Sequence, residues 1–270
     1  MKAIFMAMGL AGSLHLAAQG MDNSAAPAWK LAEGQHVQTF VAADEATAGA
    51  RFLLFLPRGY EGRKWPLIVF LHGSGERGSN IDKVKVHGLP NIVPAQPDFP
   101  FIVASPQLPS HQDWNPDNLD ALIEQLILRL PVDAGRIYLT GLSQGGYGTW
   151  DTAAAYPARF AAIAPVSGIG QPDQACRLKN MPIWAFHGAL DDVVPLAGDS
   201  KMVEQVRACG GTPKFTVYPG VGHNAWSQTY ADPDLYRWLL QHRLGSDGRR
   251  VVEPPLPGPA LSEQPLPGPA

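Results

Sequence analysis

The stretch Tyr138-Leu139-Thr140-Gly141-Leu142-Ser143-Gln144-Gly145-Gly146-Tyr147-Gly148-Thr149-Trp150 constrains the fold more than any other part of the chain. An apolar, β-type run (Arg136 to Thr140) leads into Gly-x-Ser-x-Gly, and a helical run (Gly145 to Tyr156) leads out. Strand, tight turn and helix in that order are the context in which the five-residue pattern is a nucleophile elbow. The turn holds its serine in a strained backbone conformation. Side chains at Gly141 and Gly145 would collide with the neighbouring strand and helix, so glycine is required at both. The bland alternative is a glycine-rich β–α turn that only packs a helix on a sheet.

The rest of the chain repeats this strand–helix rhythm. Val37 to Val41 and Arg51 to Leu56 alternate as two antiparallel opening strands. Leu67 to Leu71 is a continuous apolar run, which fits a strand buried on both faces. Strands are also expected at Phe101 to Ala104, Ala161 to Val166, Pro182 to Phe186 and Lys214 to Tyr218. Leu119, Leu122, Ile123, Leu126, Ile127 and Leu130 recur at helical spacing, and further helices are expected at Ser200 to Ala208 and Asp232 to Leu244. Strands alternating with helices imply a single α/β domain over residues 36–245, with a mostly parallel central sheet and helices on both faces. The proline-broken segments Asn80 to Pro100 and Ser105 to Asn118 read as loops over a cleft.

The ends differ in character. Met1-Lys2, an apolar stretch to Leu16 and the small Ala17-Ala18 have the layout of a signal peptide over 1–18, followed by a polar lead-in over 19–35. A secreted or periplasmic protein is therefore expected. Residues 246–270 contain Pro-Leu-Pro-Gly-Pro-Ala twice and read as a disordered, proline-rich tail. No later stretch reaches the roughly 18 apolar residues of a membrane span, so none is expected in the mature chain. A net charge of -3 over 270 residues offers no basic footprint for nucleic acid. The two cysteines, Cys176 and Cys209, match no metal-ligand spacing. Export would allow them to pair, since both fall near the end of the sheet opposite the elbow; their pairing stays open here.

A serine hydroxyl needs a base to take its proton, and the base needs a third group to hold its tautomer. On such a fold these partners follow the serine in the order acid, then histidine. Of the eight histidines only His187, His223 and His242 come after Ser143. His187 ends a strand and better caps it or orients the acid loop; His242 sits inside the last expected helix. His223 follows a strand through Pro219-Gly220-Val221-Gly222 and is where the base belongs. Asp191 and Asp192 both qualify as the acid. Asp191 is preferred, because Val193, Val194 and Pro195 read as a packed continuation that leaves Asp192 at the surface, while Asp199 and Ser200 are better placed to cap the next helix. Oxyanion stabilisation needs two fixed N–H donors: one from Gln144, after the serine, the other from Ser74 or Gly75 in the loop after the strand at 67–71. Trp114, Trp226 and Gln107 are candidate substrate contacts, with core or rim packing an equal reading for the two tryptophans.

Four stretches together resemble a known group: His-Gly-Ser-Gly-Glu-Arg-Gly at 72–78, Thr-Gly-Leu-Ser-Gln-Gly-Gly-Tyr-Gly-Thr-Trp at 140–150, His-Gly-Ala-Leu-Asp-Asp-Val-Val-Pro at 187–195 and Gly-Val-Gly-His-Asn-Ala-Trp at 220–226. They look like the esterase and predicted-peptidase branch of the α/β-hydrolase superfamily, which is prolyl oligopeptidase-like and similar to phospholipase/carboxylesterases. The resemblance implies a triad of Ser143, Asp191 and His223, with Ser74 and Gln144 as oxyanion amides. It also implies hydrolysis of small-molecule or carbohydrate esters, feruloyl or acetyl esters among them, through an acyl-enzyme and without metal or cofactor. Two alternatives remain: a serine peptidase on the same triad, and a binding protein on the same fold that has no catalysis.

Overall fold

The computed structural model describes residues 28–44 and 49–254. The expected signal peptide at 1–18, the first part of the lead-in and residues 255–270 of the expected tail lie outside the described residues. The core of the molecule is an eight-stranded sheet in the order β1 (Gly34–Thr39), β2 (Arg51–Leu56), β4 (Ile102–Pro106), β3 (Trp65–Leu71), β5 (Val132–Leu142), β6 (Ala162–Val166), β7 (Trp184–Gly188), β8 (Lys214–Tyr218). β1 and β2 pair antiparallel, as do β2 and β4. Every other pairing is parallel. Among the described residues six helices accompany it: α1 (Leu89–Ile92), α2 (Pro116–Arg129), α3 (Gln144–Ala155), α4 (Leu196–Ala208), α5 (Trp226–Ala231) and α6 (Pro233–Gln241).

The side-chain period of two splits β3 between two cores. Leu67, Val69 and Leu71 join the core that holds Leu119, Leu122, Ile123 and Leu126 of α2 and Trp150 of α3. Ile68 and Phe70 join the opposite core with Leu89, Phe101, Leu235 and Leu239. All five β3 side chains are fully buried, each worth about 1.5–3 kcal/mol against exposure. This central strand is what holds the sheet's carboxyl edge rigid under the loops. Two helix starts, those of α2 and α6, are capped as their sequences demand: Asn115 Oδ1 accepts from the Asp117 amide at 2.8 Å, and Asp232 Oδ1 from the Asp234 amide at 2.8 Å.

The chain departs from the sequence expectation in three places. Residues 80–100 are a series of short turns, Ile81–Val86, α1 and Val93–Ala95, packed onto the sheet. Gly88 explains the tightness: its φ is 66°, and a Cβ there would stand 2.4 Å from the Phe70 ring. The last helix ends at Gln241, not Leu244; His242 begins a short strand, β9 (His242–Leu244), which pairs antiparallel with β10 (Arg250–Val252). The expected disordered tail therefore starts too early at 246. Arg250 anchors this hairpin through hydrogen bonds to the carbonyls of Pro157, Phe160 and Asn180, and Glu253 pairs with Arg136.

Cys176 and Cys209 are bridged, with Cα atoms 5.1 Å apart and a separation of 33 positions in sequence. Cys176 lies in a turn that feeds β7 and Cys209 caps the end of α4, so the bridge ties α4 to the amino end of the sheet. On the loop-entropy model such a closure stabilises by about 3.5 kcal/mol.

Candidate active site

The elbow between β5 and α3 has the strain its sequence requires. Ser143 has φ 53° and ψ −119°, outside the regions an L-residue prefers, at a cost on the order of 1–3 kcal/mol. Its amide donates to the Val166 carbonyl at 2.9 Å, which pins the turn to β6. A Cβ on Gly145 would lie 2.0 Å from the Leu71 carbonyl oxygen, and one on Gly141 would lie 2.4 Å from the Gly145 oxygen. Only glycine lets α3 start this close to β3.

Three side chains from separate loops meet there. His223 Nε2 is 2.9 Å from Ser143 Oγ, and His223 Nδ1 is 2.8 Å from Asp191 Oδ2. The loops that carry Asp191 and His223 are stitched together by backbone bonds: Ala189 N–H donates to the Tyr218 carbonyl at 3.0 Å and Leu190 N–H to the Val221 carbonyl at 2.8 Å. Gly188 makes this possible, since a Cβ there would fall 2.0 Å from the Gly222 oxygen. Ser167 Oγ donates to the His223 carbonyl at 3.0 Å and holds the base from below. Asp192 is exposed, as the preference for Asp191 supposes, but so is Val193; only Val194 is packed.

Asp191 is held on every side. Its Oδ1 accepts from the amides of Val193 and Val194 at 3.0 and 2.8 Å. Burial pushes its pKa up, but the bond from His223 and these two amides outweigh it and leave the carboxyl below its ordinary 3.8. Behind it stands His187, fully buried, with Nε2 3.2 Å from Asp191 Oδ2 and 2.8 Å from the Val194 carbonyl, and Nδ1 2.8 Å from Asp199 Oδ2. Nε2 faces only acceptors and so carries hydrogen. Burial raises the pKa of Asp199, so Nδ1 and Asp199 share one proton between them, and with Asp199 ionised His187 is an imidazolium. Burial alone would lower its pKa, yet the bonds to Asp199 and Val194 carry it above 6.5. Asp199, expected as a helix cap, is instead fully buried inside α4 and also accepts from Trp150 Nε1 at 2.9 Å.

This pair has a pH signature. A histidine whose pKa is raised by folding contributes stability that is complete below its unfolded value near 6.5 and lost as pH rises through the folded value. The melting temperature is expected to fall on the alkaline side, and His187→Gln to flatten that fall. Parallel melting-temperature profiles from pH 6 to 9 for the two proteins would refute an imidazolium at His187.

The remaining candidates separate. Gln144 is the first residue of α3, so its amide has no intrahelical acceptor. Its side-chain Nε2 donates to the Gln112 carbonyl at 3.1 Å and Asp113 Oδ1 at 2.7 Å, docking the 107–115 loop on the elbow. Ser74 opens a turn (Ser74–Glu76) right after Gly73, where a Cβ would be 3.5 Å from that of Ser143. Gly75 meets nothing within 4 Å. Trp226 packs edge-on against the His223 ring, centroids 5.1 Å apart. Gln107 and Trp114 must be withdrawn as substrate contacts. Gln107 is 5% exposed, and its Nε2 is spent on the carbonyls of Glu76 and Asn80 at 2.8 and 2.7 Å. Trp114 is 8% exposed, fills the notch that Gly148 leaves in α3, and donates to the His72 carbonyl at 3.3 Å. His242 lies in β9 against Trp238, away from the elbow.

Sequence reasoning saw His187 only as a strand cap or acid-loop orienter and missed Asp199 and Ser167 as supports. The spacing of His187, Asp191 and Asp199 along one strand-to-helix connection was the available signal.

Residues 110–233 match the Phospholipase/Carboxylesterase family. The chain is 30% identical over 195 residues to the Aspergillus niger protein called "Probable feruloyl esterase C", covering 67% of this chain and 70% of that one. It is 31% identical over 137 residues to Carboxylesterase SOBER1 of Arabidopsis thaliana, covering 47% and 58%. Among solved structures, a thermostable esterase superposes with a TM-score of 0.69 at 32% identity, covering 77% of this chain and 63% of that one. The chain spans 34% and 58% of the length of the first two curated relatives it matches. With the sheet order, the elbow and these similarities together, the chain belongs to the phospholipase/carboxylesterase branch of the α/β-hydrolase superfamily.

Proposed function

We propose that the protein is a serine carboxylesterase that cleaves carboxylic esters through an acyl-enzyme on Ser143. The observation that carries this reading is the continuous path from Ser143 Oγ to His223 Nε2 at 2.9 Å and from His223 Nδ1 to Asp191 Oδ2 at 2.8 Å. Asp191, kept ionised, accepts the Nδ1–H and so leaves the Nε2 lone pair facing the serine hydroxyl. His223 takes that proton as Ser143 attacks the ester carbonyl. The amides of Gln144 and Ser74 receive the developing oxyanion, a contribution of about 3 kcal/mol each. His223 then returns the proton to the leaving alcohol, and water repeats the cycle on the acyl-enzyme.

Feruloyl or acetyl esters of carbohydrates are the proposed substrate class, and the name of the Aspergillus niger relative supports it. Export to a secreted or periplasmic location, with residues 1–18 removed, is part of the same proposal. The Cys176–Cys209 bridge supports it, because such bridges persist in oxidising compartments. A fluorophosphonate probe is expected to label the protein once, on the peptide containing Ser143, and labelling is expected to disappear in Ser143→Ala. An adduct on another residue, or none on a folded protein, would overturn the assignment.

A further inference from the structure

The turn Ser74–Glu76 carries a carboxylate that the steps above do not use. Glu76 is 7% exposed, and its Oε2 is buried without a hydrogen-bond partner among the described residues. Buried polar atoms are ordinarily satisfied, and an unmet one costs on the order of 1–3 kcal/mol, more when charged. The neighbours do not relieve it. His72 Nδ1 is 3.9 Å from Oε2, but its N–H is already given to the Gly73 carbonyl at 2.6 Å, because Nε2 accepts from the Leu108 amide at 3.0 Å. Burial lowers the His72 pKa to about 4, so that ring brings no charge at neutral pH. His87 Nε2 stands 3.7 Å from the other oxygen, Oε1, too far for a hydrogen bond.

The position of the unmet oxygen ties it to the elbow. A Cβ built on Gly73 would be 2.9 Å from Leu142 Cδ1, 3.3 Å from Glu76 Oε2 and 3.5 Å from Ser143 Cβ, so the bare glycine lets the carboxylate and the elbow come close together. Trp226 closes the corner: its ring centroid is 5.8 Å from that of His87 and 5.1 Å from that of His223. Its Nε1–H is also buried without a partner among the described residues. The residues around the nucleophile thus include one unmet acceptor, Glu76 Oε2, and one unmet donor, Trp226 Nε1–H. A group that completes both must donate and accept. A hydroxyl does so; an ammonium only donates, and an alkyl or aryl group does neither.

We propose that Glu76 and Trp226 form a subsite for substrate hydroxyl, one group or two neighbouring ones, so that the protein selects esters hydroxylated close to the scissile bond over their deoxy counterparts. The proposal rests on the esterase reading for its location beside Ser143. Hydroxyl selection of this kind is efficient, because the deoxy ester would seal the carboxylate in without a partner. The hydroxyl can belong to the alcohol or to the acyl group.

Two matched pairs separate those sources. The alcohol arm compares kcat/KM for glycerol monoacetate and propyl acetate; the acyl arm compares methyl 3-hydroxybutanoate and methyl butanoate, each value divided by the alkaline hydrolysis rate. In at least one arm the hydroxylated ester is expected to be favoured by at least about tenfold, and Glu76→Ala to bring that ratio towards one. Glu76→Gln, which keeps the volume, and Trp226→Phe, which keeps the ring and removes the N–H, are each expected to lower it; they serve if Glu76→Ala fails to fold. Ratios near one in both arms, a ratio that survives all three variants, or a stronger preference for alanine methyl ester and its ammonium would overturn the subsite. If no ester is turned over, the esterase reading alone fails. The subsite is then read by NMR titration of Ser143→Ala with glycerol monoacetate and propyl acetate: tighter binding of the former, lost on adding Glu76→Ala, sustains it, and equal binding rejects it.

Discussion

Ser143→Ala is expected to lower kcat for ester hydrolysis by about a million-fold, the loss typical of removing the nucleophile from a complete Ser-His-Asp unit. The residual rate over water would come from the oxyanion amides and substrate positioning, which the substitution leaves in place. Alanine keeps the Cβ, and with it the strain of φ 53°. Its melting temperature should therefore stay close to that of the parent. Ser143→Gly is the informative companion, equally inactive but relieved of strain, and should be more stable by about 1 kcal/mol. Stopped assays and thermal melts on the three proteins check both statements. Esterase turnover by Ser143→Ala within a hundredfold of the parent would remove Ser143 from the chemistry.

Asp191→Asn is expected to reduce kcat by about ten-thousandfold. The geometry dictates which way the new amide points. Oδ1 already accepts from the amides of Val193 and Val194, so the carbonyl oxygen must stay there and the NH2 must take the place of Oδ2. That NH2 would face His223 Nδ1 and force the proton to Nε2, leaving no lone pair for the serine. It would also face the His187 Nε2–H at the position now 3.2 Å from that nitrogen, opposing donor to donor. A loss of stability should accompany the loss of rate, unlike Ser143→Ala. Rates measured against pH decide the point, since a wrong tautomer is rescued only at alkaline pH, where hydroxide can replace the base.

Legibility varied with how local the physics was. β3 and the elbow could be read because burial on both faces and a forced turn leave their marks in consecutive residues. That Asp191 and His223 would meet Ser143 followed from parallel topology, which presents each strand's carboxyl end in turn. Gln107 and Trp114 were misplaced for the opposite reason: a polar amide and a tryptophan in a proline-rich loop look like cleft lining. Their partners, the Glu76 and Asn80 carbonyls and the notch at Gly148, lie some 30 residues away in sequence. The end of the last helix was hidden because the buried alternation of His242 and Leu244 spans only three residues, too short to stand out against the helical run before it. Arg250 was lost in the tail since the three carbonyls it bonds sit 70 to 93 residues earlier. The state of His187 needed all of its acceptors in view at once.

The hairpin of β9 and β10 settles a question of orientation. Arg250 grips carbonyls that precede β6 and β7, at the amino edge of the sheet, whereas Ser143 stands at the carboxyl end of β5. The hairpin, and with it the last described residues, therefore lies on the side of the sheet away from Ser143. A surface or resin coupled to the β9–β10 hairpin would hold this chain with Ser143 facing outward, open to a polymeric ester too large to diffuse to it.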